Sequence, residues 1–278
     1  MSAQVLGAGR VREVLRRHGV RPARALGQNF VVDPNTVRKV VSVAGLGGSE
    51  RVLEIGAGVG SLTVALAASA AEVVAVELDR RLIPVLAETL AGLGNVEVVF
   101  SDALRMDLGA LGAPCVVANL PYNIATPLVT RILAEAPGIT ELTVMTQREV
   151  GERLAARPGS KSYGQVSVVV AHHAVAALAA RVSRRAFYPV PRVDSVIVRV
   201  ARHSHPPAVS FADLSAVARA AFSQRRKTLR NALGPLAGSV AAAEELLEGA
   251  GVDPRARAES IGVEGFVSVA RAFGNRKG

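Results

Sequence analysis

Cysteine occurs once, at Cys115, and tryptophan not at all. A single thiol closes no internal disulfide, and its place in the apolar run "CVVAN" suits a buried structural residue. Aromatic residues make up only 4% of the chain, so a tyrosine or phenylalanine inside a polar motif stands out. No uninterrupted apolar run reaches the roughly 18 residues that a membrane-spanning helix needs. The opening "MSAQVLGAGRVREVLRRHG" has no signal-peptide apolar core, so the expectation is a cytoplasmic protein without a membrane partner. Histidines are few. His172 and His173 should point apart on a helix, and His203 and His205 lack acidic or thiol neighbours, so no metal site is expected.

Acid is scarce at both flanks of the chain. Residues 1–30 hold six arginines against one acid, net +5, and residues 181–202 hold six against Asp194, also +5. Residues 31–180 carry 11 basic and 14 acidic groups, net −3, and residues 203–278 carry 10 and 7, net +3. A slightly acidic centre between basic flanks suggests a polyanion gripped from the outside. Solvated arginine in an Ala-, Gly- and Val-rich chain is the plainer alternative.

The 278 residues, 50% hydrophobic, can bury a sizeable core and have room for one large domain and a small one. From residue 51, short β-branched runs alternate with helical stretches: "RVLEI", "AEVVAVE", "NVEVVF", "CVVAN" and "ELTVMT" read as strands. Alternation of this kind predicts an open, mostly parallel α/β sheet covered on both faces. In "TPLVTRILAEA", Thr126 is placed to cap a helix with Pro127 at its first position. After the loop "RPGSKSYG" come an apolar helix and two further strands, "AALAARVS" and "VDSVIVRVA". "RHSHPP" reads as a linker, and beyond it "FADLSAVARAAFSQRRKTLRNAL" and "AAAEELLEGAG" are helical. The expected organisation is a basic N-terminal arm (1–30), a sheet domain (31–204) and a helical C-terminal domain (205–278).

"GAGVG" sits between a strand and a helix, which hints at a nucleotide site, but it is not a full G-x-G-x-x-G. That weakens the case for a pyrophosphate and leaves a phosphate-free adenosine compound, such as S-adenosylmethionine, as the better fit. Glu77 closes the second strand 21 residues after Gly56, where a carboxylate can accept from ribose hydroxyls. Asp102 follows the third strand and can accept from an adenine amino group. Any one of these acids alone reads equally as a solvated loop residue. Together with the glycines they converge on the carbonyl edge of a parallel sheet.

The fourth strand ends at that same edge on "NLPYN". An exocyclic adenine amine is a poor nucleophile because its lone pair is delocalised into the ring. Acceptors that hold its hydrogens turn the lone pair outward. The Asn119 side chain and the Leu120 carbonyl are such acceptors, Pro121 stiffens the backbone between them, and Tyr122 offers a stacking face. Positioning then carries most of the catalysis. A proline turn capped by a packed tyrosine is the alternative reading.

The chain resembles the ribosomal RNA adenine N6-dimethyltransferases, and within them the small-subunit type. "LGQNFVVDP", "VLEIGAGVGSLT", "VELD", "SDAL", "NLPYNIATPL", "MTQREVGERL", "SYGQVSV", "FYPVPRVDSVIV", "FSQRRKTLRNAL" and "DPRARAESI" carry the likeness in the family's order, over about residues 25 to 262. The resemblance implies a Rossmann-like class I methyltransferase sheet of seven mostly parallel strands with a small all-helical C-terminal domain. It implies S-adenosylmethionine as cofactor and the small ribosomal subunit as partner. The implied reaction is dimethylation of two adjacent adenines in the 3′-terminal hairpin loop of small-subunit (16S) rRNA during ribosome assembly, by a monomer. Cofactor contacts fall by resemblance on Gln28, Asn29, Val31, Gly56, Gly58, Glu77, Asp102 and Asn119. The catalytic motif falls on Asn119, Leu120 and Tyr122, and the target base is flanked by Tyr122 and Phe187.

Arg225, Arg226, Lys227 and Arg230 fall within two turns of the expected helix and would bind phosphates with little sequence choice. The basic arm is expected to order only on RNA. Two other readings compete: a large-subunit (23S) rRNA adenine methylase of the macrolide-resistance type, and a non-catalytic ribosome assembly factor. A DNA adenine methylase would more usually show aspartate at position 119 and a recognition domain.

Overall fold

A computed structural model describes residues 5–224 and 226–276. In chain order the elements are α1 (Ala8–Arg17), β1 (Phe30–Val31), α2 (Pro34–Ala44), β2 (Arg51–Ile55), α3 (Ser61–Ala67), β3 (Glu72–Glu77), α4 (Ile83–Thr89) and β4 (Val96–Phe100). Then follow β5 (Cys115–Asn119), α5 (Ala125–Glu135), β6 (Glu141–Gln147), α6 (Arg148–Leu154), α7 (Gln165–His173), β7 (Ala174–Val182), β8 (Phe187–Tyr188) and β9 (Ser195–Arg202). Four helices complete the chain: α8 (Phe211–Ser223), α9 (Leu229–Ala237), α10 (Val240–Gly249) and α11 (Val263–Asn275).

Among the described residues, seven strands form one sheet in the order β4-β3-β2-β5-β6-β9-β7. The pairs from β4 to β6 are parallel, and β9 runs antiparallel to β6. The chain steps outward from β2 through β3 to β4 and then returns to the other side of β2 at β5. This reversal opens a crevice beyond the carbonyl ends of β2 and β5, where ligands of open α/β sheets bind. Val73 to Glu77 of β3 are buried in unbroken succession, Val73 in a core with Val37, Val40 and Leu66 and Ala75 in a second core with Val14, Val85 and Leu86. Burial on both faces explains why these strands read as continuous apolar runs.

The N-terminal segment differs from the expected arm. Val11, Val14 and Leu15 of α1 are buried in the second core, so the helix is ordered without RNA. Basic side chains from this segment converge on one carboxylate: Arg10, Arg17 and His18 reach Glu88 at 2.6, 2.7 and 2.8 Å. Alternation of buried apolar and exposed basic residues made an amphipathic helix, and the partner lay 70 residues away on α4.

Helix α5 begins at Ala125, two residues before Pro127, and Thr126 makes no cap. Pro127 still lies in the first turn, where its missing N–H is harmless. At the other end, the Arg202 guanidinium donates to the carbonyls of Ile132, Leu133 and Ala136 at 2.9–3.1 Å and closes the helix terminus.

The chain packs as two compact units, residues 1–151 with 177–202, and residues 152–176 with 203–278. The segment 152–176, expected in the sheet domain, joins the C-terminal helices instead. The reason is Tyr163, which is fully buried, donates its hydroxyl to the Ile261 carbonyl at 2.9 Å, and meets Phe222 edge-on at 5.6 Å. Helix α7 packs with it through Val168 on Leu214, Val217 and Phe266. The single long helix expected over 211–233 is instead two, α8 ending at Ser223 and α9 beginning at Leu229. There the first amides of α9 donate elsewhere, Leu229 to the Ala256 carbonyl (2.8 Å) and Arg230 to that of Pro254 (3.1 Å). The rings of His172 and His173, expected to point apart, meet edge-on at 4.6 Å.

Candidate active site

The turn after β2 runs from Gly56 to Gly60, with φ of +84°, +57° and +84° at its three glycines, a region that side chains rarely adopt. A Cβ on Gly58 would stand 3.0 Å from the Phe30 ring. Most of the turn's amides are already used. Gly56 and Ala57 donate to the Val76 carbonyl, Gly60 to that of Ala57, and Gly58 to Glu77 Oε2 at 2.8 Å. A pyrophosphate cradle needs free amides and no adjacent carboxylate. This turn offers the opposite, so it suits a ligand without phosphates.

Glu77, buried at the end of β3, also accepts from the amides of Leu78 (2.9 Å) and Asp79 (2.8 Å) through Oε1. Burial raises its pKa, and the backbone donors of Asp79, Gly58 and Leu78 oppose the rise. Oε2 keeps the greater spare capacity to accept. One step back along β2, Glu54 is 1% exposed, with Oε2 unpartnered. Burial, reinforced by the charge of Glu77, pushes its pKa up to about 8. Asp102, after β4, accepts from the Leu104 amide at 2.9 Å and holds the loop that follows.

At the end of β5, Asn119 Nδ2 donates to the Asn29 carbonyl at 3.1 Å. A carbonyl only accepts, so this bond orients the amide and leaves Oδ1 as the acceptor. The Asn119 carbonyl lies 3.6 Å from where a Gly56 Cβ would be, which puts "NLPYN" against the glycine turn. Leu120 is buried, and its amide donates to the Met145 carbonyl at 3.0 Å. The Tyr122 hydroxyl lies 3.4 Å from Ser195 Oγ, and burial raises its pKa.

The segment before β1 closes the remaining wall. Gln28 accepts from the Ala23 amide (2.7 Å) and donates to Asp79 Oδ2 (2.9 Å), and Arg81 grips the same carboxylate at 2.6 Å. Gly27, at φ +65°, lets the chain pass Pro121 and Asn123, whose atoms would stand 3.4 and 3.2 Å from a Cβ there.

These groups enclose one cavity of about 250 Å³. Gln28, Asn29, Gly56, Gly58, Glu77, Asp102, Asn119, Leu120 and Tyr122 all line it. Two expected residues do not. Val31 is buried behind the wall, paired with Phe187 in the β1–β8 ladder. Phe187 itself is 2% exposed and packs with Val37, Met145 and Ile197, so it fills the core and presents no face to a base in this structure. Sequence reading missed Gly27, Phe30 and Ser101 as lining residues. Only the adjacency of "LG" to "QNF" hinted at the first two.

The basic cluster is less uniform than expected. Arg225 lies outside the described residues. Arg226 and Lys227 are exposed in the turn between α8 and α9, not on a helix. Arg230 is half-buried and bonds Glu244 at 3.0 Å. No group of three metal-ligating side chains occurs among the described residues.

Known proteins resemble the chain along nearly its whole length. Ribosomal RNA small subunit methyltransferase A of Moorella thermoacetica is 45% identical over 280 residues, covering 95% of this chain and 97% of that protein. The protein of the same description from Thermobifida fusca is 46% identical, covering 96% of each. Among solved structures, a dimethyladenosine transferase from Plasmodium falciparum superposes with a TM-score of 0.78 at 25% identity, covering 89% of this chain and 98% of that one. The 23S rRNA methyltransferase ErmE does so at 0.66 and 28% identity, covering 88% and 100%. Residues 21–274 match the ribosomal RNA adenine dimethylase family, and the chain belongs to it.

Proposed function

We propose that the protein transfers methyl groups from S-adenosylmethionine to the N6 amines of two adjacent adenines in the 3′-terminal hairpin loop of small-subunit rRNA. One observation carries this reading: the glycine turn, two carboxylates and the Asn119–Tyr122 motif wall a single cavity. The small-subunit relatives, at 45–46% identity, support the substrate over the large-subunit alternative.

The cavity fits the donor in two respects. The turn's amides are spent on Val76 and Glu77, which suits a nucleoside without phosphates. Gly56 carries no Cβ where one would narrow the crevice against Asn119. When bound, the donor supplies a methyl group on a positively charged sulfur. Glu77 Oε2 accepts from a ribose hydroxyl, and Asp102 takes the adenine end. Asn119 Oδ1 and the Leu120 carbonyl accept the hydrogens of the target amine, which turns its lone pair away from the target ring. Tyr122, held by Ser195, stacks on the target base. No strong base is needed, because the sulfonium is already a good leaving group. Arg226 and Lys227 contact phosphates. Residues 203–278 form the RNA-binding unit together with 152–176.

The test supplies methyl-labelled donor to under-methylated small subunits, large subunits and duplex DNA in parallel. Label in small-subunit RNA, on N6 of two neighbouring adenines, is the expected result. Label only in large-subunit RNA assigns the alternative substrate, and no label anywhere removes the catalytic reading.

A further inference from the structure

The single helical turn at 184–186, between β7 and β8, is firmly anchored although its arginines face solvent. Ala186 and Phe187 are buried, the Val32 amide donates to the Ala186 carbonyl at 2.8 Å, and the Arg184 amide donates to Asp194 Oδ1 at 2.9 Å. Around this platform stand Lys39, Arg181, Arg184, Arg185 and Arg192, all exposed. Lys39, Arg181 and Arg185 line one groove, and Arg184 and Arg192 line another.

None of these five side chains has an ion pair or hydrogen-bond partner among the described residues. Some other exposed arginines of this chain do find acids, as Arg51 does with Glu72, Arg199 with Glu141 and Arg10 with Glu88. The acids in the two grooves are otherwise engaged. Asp33 caps α2 through Asn35 and Thr36, Asp194 holds the Arg184 amide, and Glu149 has a partner of its own. Five unpaired cations on a rigid base repel one another, and an extended polyanion relieves that repulsion.

The patch is also continuous with the site. Tyr122 bonds Ser195, Ser195 is paired with Gln147 across the sheet, and Arg148 donates its amide to the Asp194 carbonyl at 3.1 Å. The second groove is lined by Gln147 and Asp194, the neighbours of that contact.

We infer that this arginine platform is a phosphodiester-binding track for the RNA strand flanking the target adenine, separate from the Arg226–Lys227 turn. The inference rests on the rRNA reading above. Phosphate contacts carry no base information, so the platform sets the position of the strand and leaves base choice to the cavity.

The experiment combines Arg181→Gln, Arg184→Gln and Arg185→Gln in the full chain and measures binding to under-methylated small subunits over a salt series. Each lost phosphate contact lowers the slope of log affinity against log salt by about 0.7, so the triple variant should lose about 2. KM for subunits should rise about tenfold or more, since phosphate contacts dominate affinity. The corresponding Arg→Lys variant should recover most of both, and donor affinity by calorimetry should stay unchanged in all three proteins. If the triple variant fails to fold, Arg184→Gln alone should still lower the slope by about 0.7. Unaltered slope and KM overturn the track. Wild-type binding to small subunits without methyl transfer counts against the catalytic reading and leaves the salt test of the track intact.

Discussion

The Asn119 side chain donates to the Asn29 carbonyl across 90 residues of sequence, and this one bond joins the N-terminal wall of the cavity to the end of β5. It also decides which end of the amide accepts. Asn119→Ala should lower methyl transfer on the order of 100-fold, the scale of losing one positioned polar group at a reacting centre. Small-subunit binding should persist. Unchanged single-turnover rates would refute the acceptor role.

Gly58→Ala forces a side chain into φ +57° and sets its Cβ 3.0 Å from the Phe30 ring. The conformational cost alone is roughly 1–2 kcal/mol. Thermal melting should show that loss. Calorimetry should show weaker donor binding, because Phe30 forms part of the cavity wall.

Glu54 gives a pH signature. Its folded pKa of about 8 lies above the ordinary 4.5, so between those values the native state holds a proton that the unfolded state has released. Stability therefore falls as pH rises from about 5 to 8, with a slope of up to about 1.4 kcal/mol per pH unit from this group. Glu54→Gln should flatten that part of a denaturation-against-pH curve. An equally steep curve in the variant would show that Glu54 ionises freely in the fold.

Phe187 and Tyr122 should separate in their effects. Phe187→Ala removes a buried ring, and large-to-small changes of that kind cost about 3–5 kcal/mol. Phe187→Leu should cost less and leave KM for subunits near the wild-type value. Tyr122→Leu should do the reverse, with KM and turnover affected more than the melting temperature. A large KM effect of Phe187→Leu in a protein of normal stability would restore its role against the base.

Glu88→Gln should loosen α1. Hydrogen bonding from His18, with Arg17 and Arg10 nearby, holds the Glu88 carboxyl below its usual range, so the contact weakens as pH falls through that range. Amide exchange in residues 8–17 should quicken in the variant and, in the wild type, at acid pH. Equal exchange in both would show that apolar packing alone holds the helix.

The sheet and the cavity were legible because both follow from local pattern. β-branched runs bounded by glycine, acid or asparagine mark strand ends, and parallel strands bring those ends to one edge. Glu77, Asp102 and Asn119 could therefore be placed together before their contacts were seen. What the pattern concealed depends on distant partners. The order of α1 rests on Glu88 and on residues of α4, and the home of 152–176 rests on Tyr163 meeting Ile261. Helix periodicity runs straight through 224–228, and only the carbonyls of Pro254 and Ala256 explain the break. Resemblance alone places Phe187 against the base, whereas the ladder with Val31 turns it inward.

Glu77 is fastened by three main-chain donors before any guest arrives. An entering nucleoside thus meets a receptor whose hardest part to organise, a buried carboxyl group beside a tight glycine bend, is already set. Little entropy is left to lose there on association, so tightness of binding should depend on shape and desolvation rather than on rearrangement.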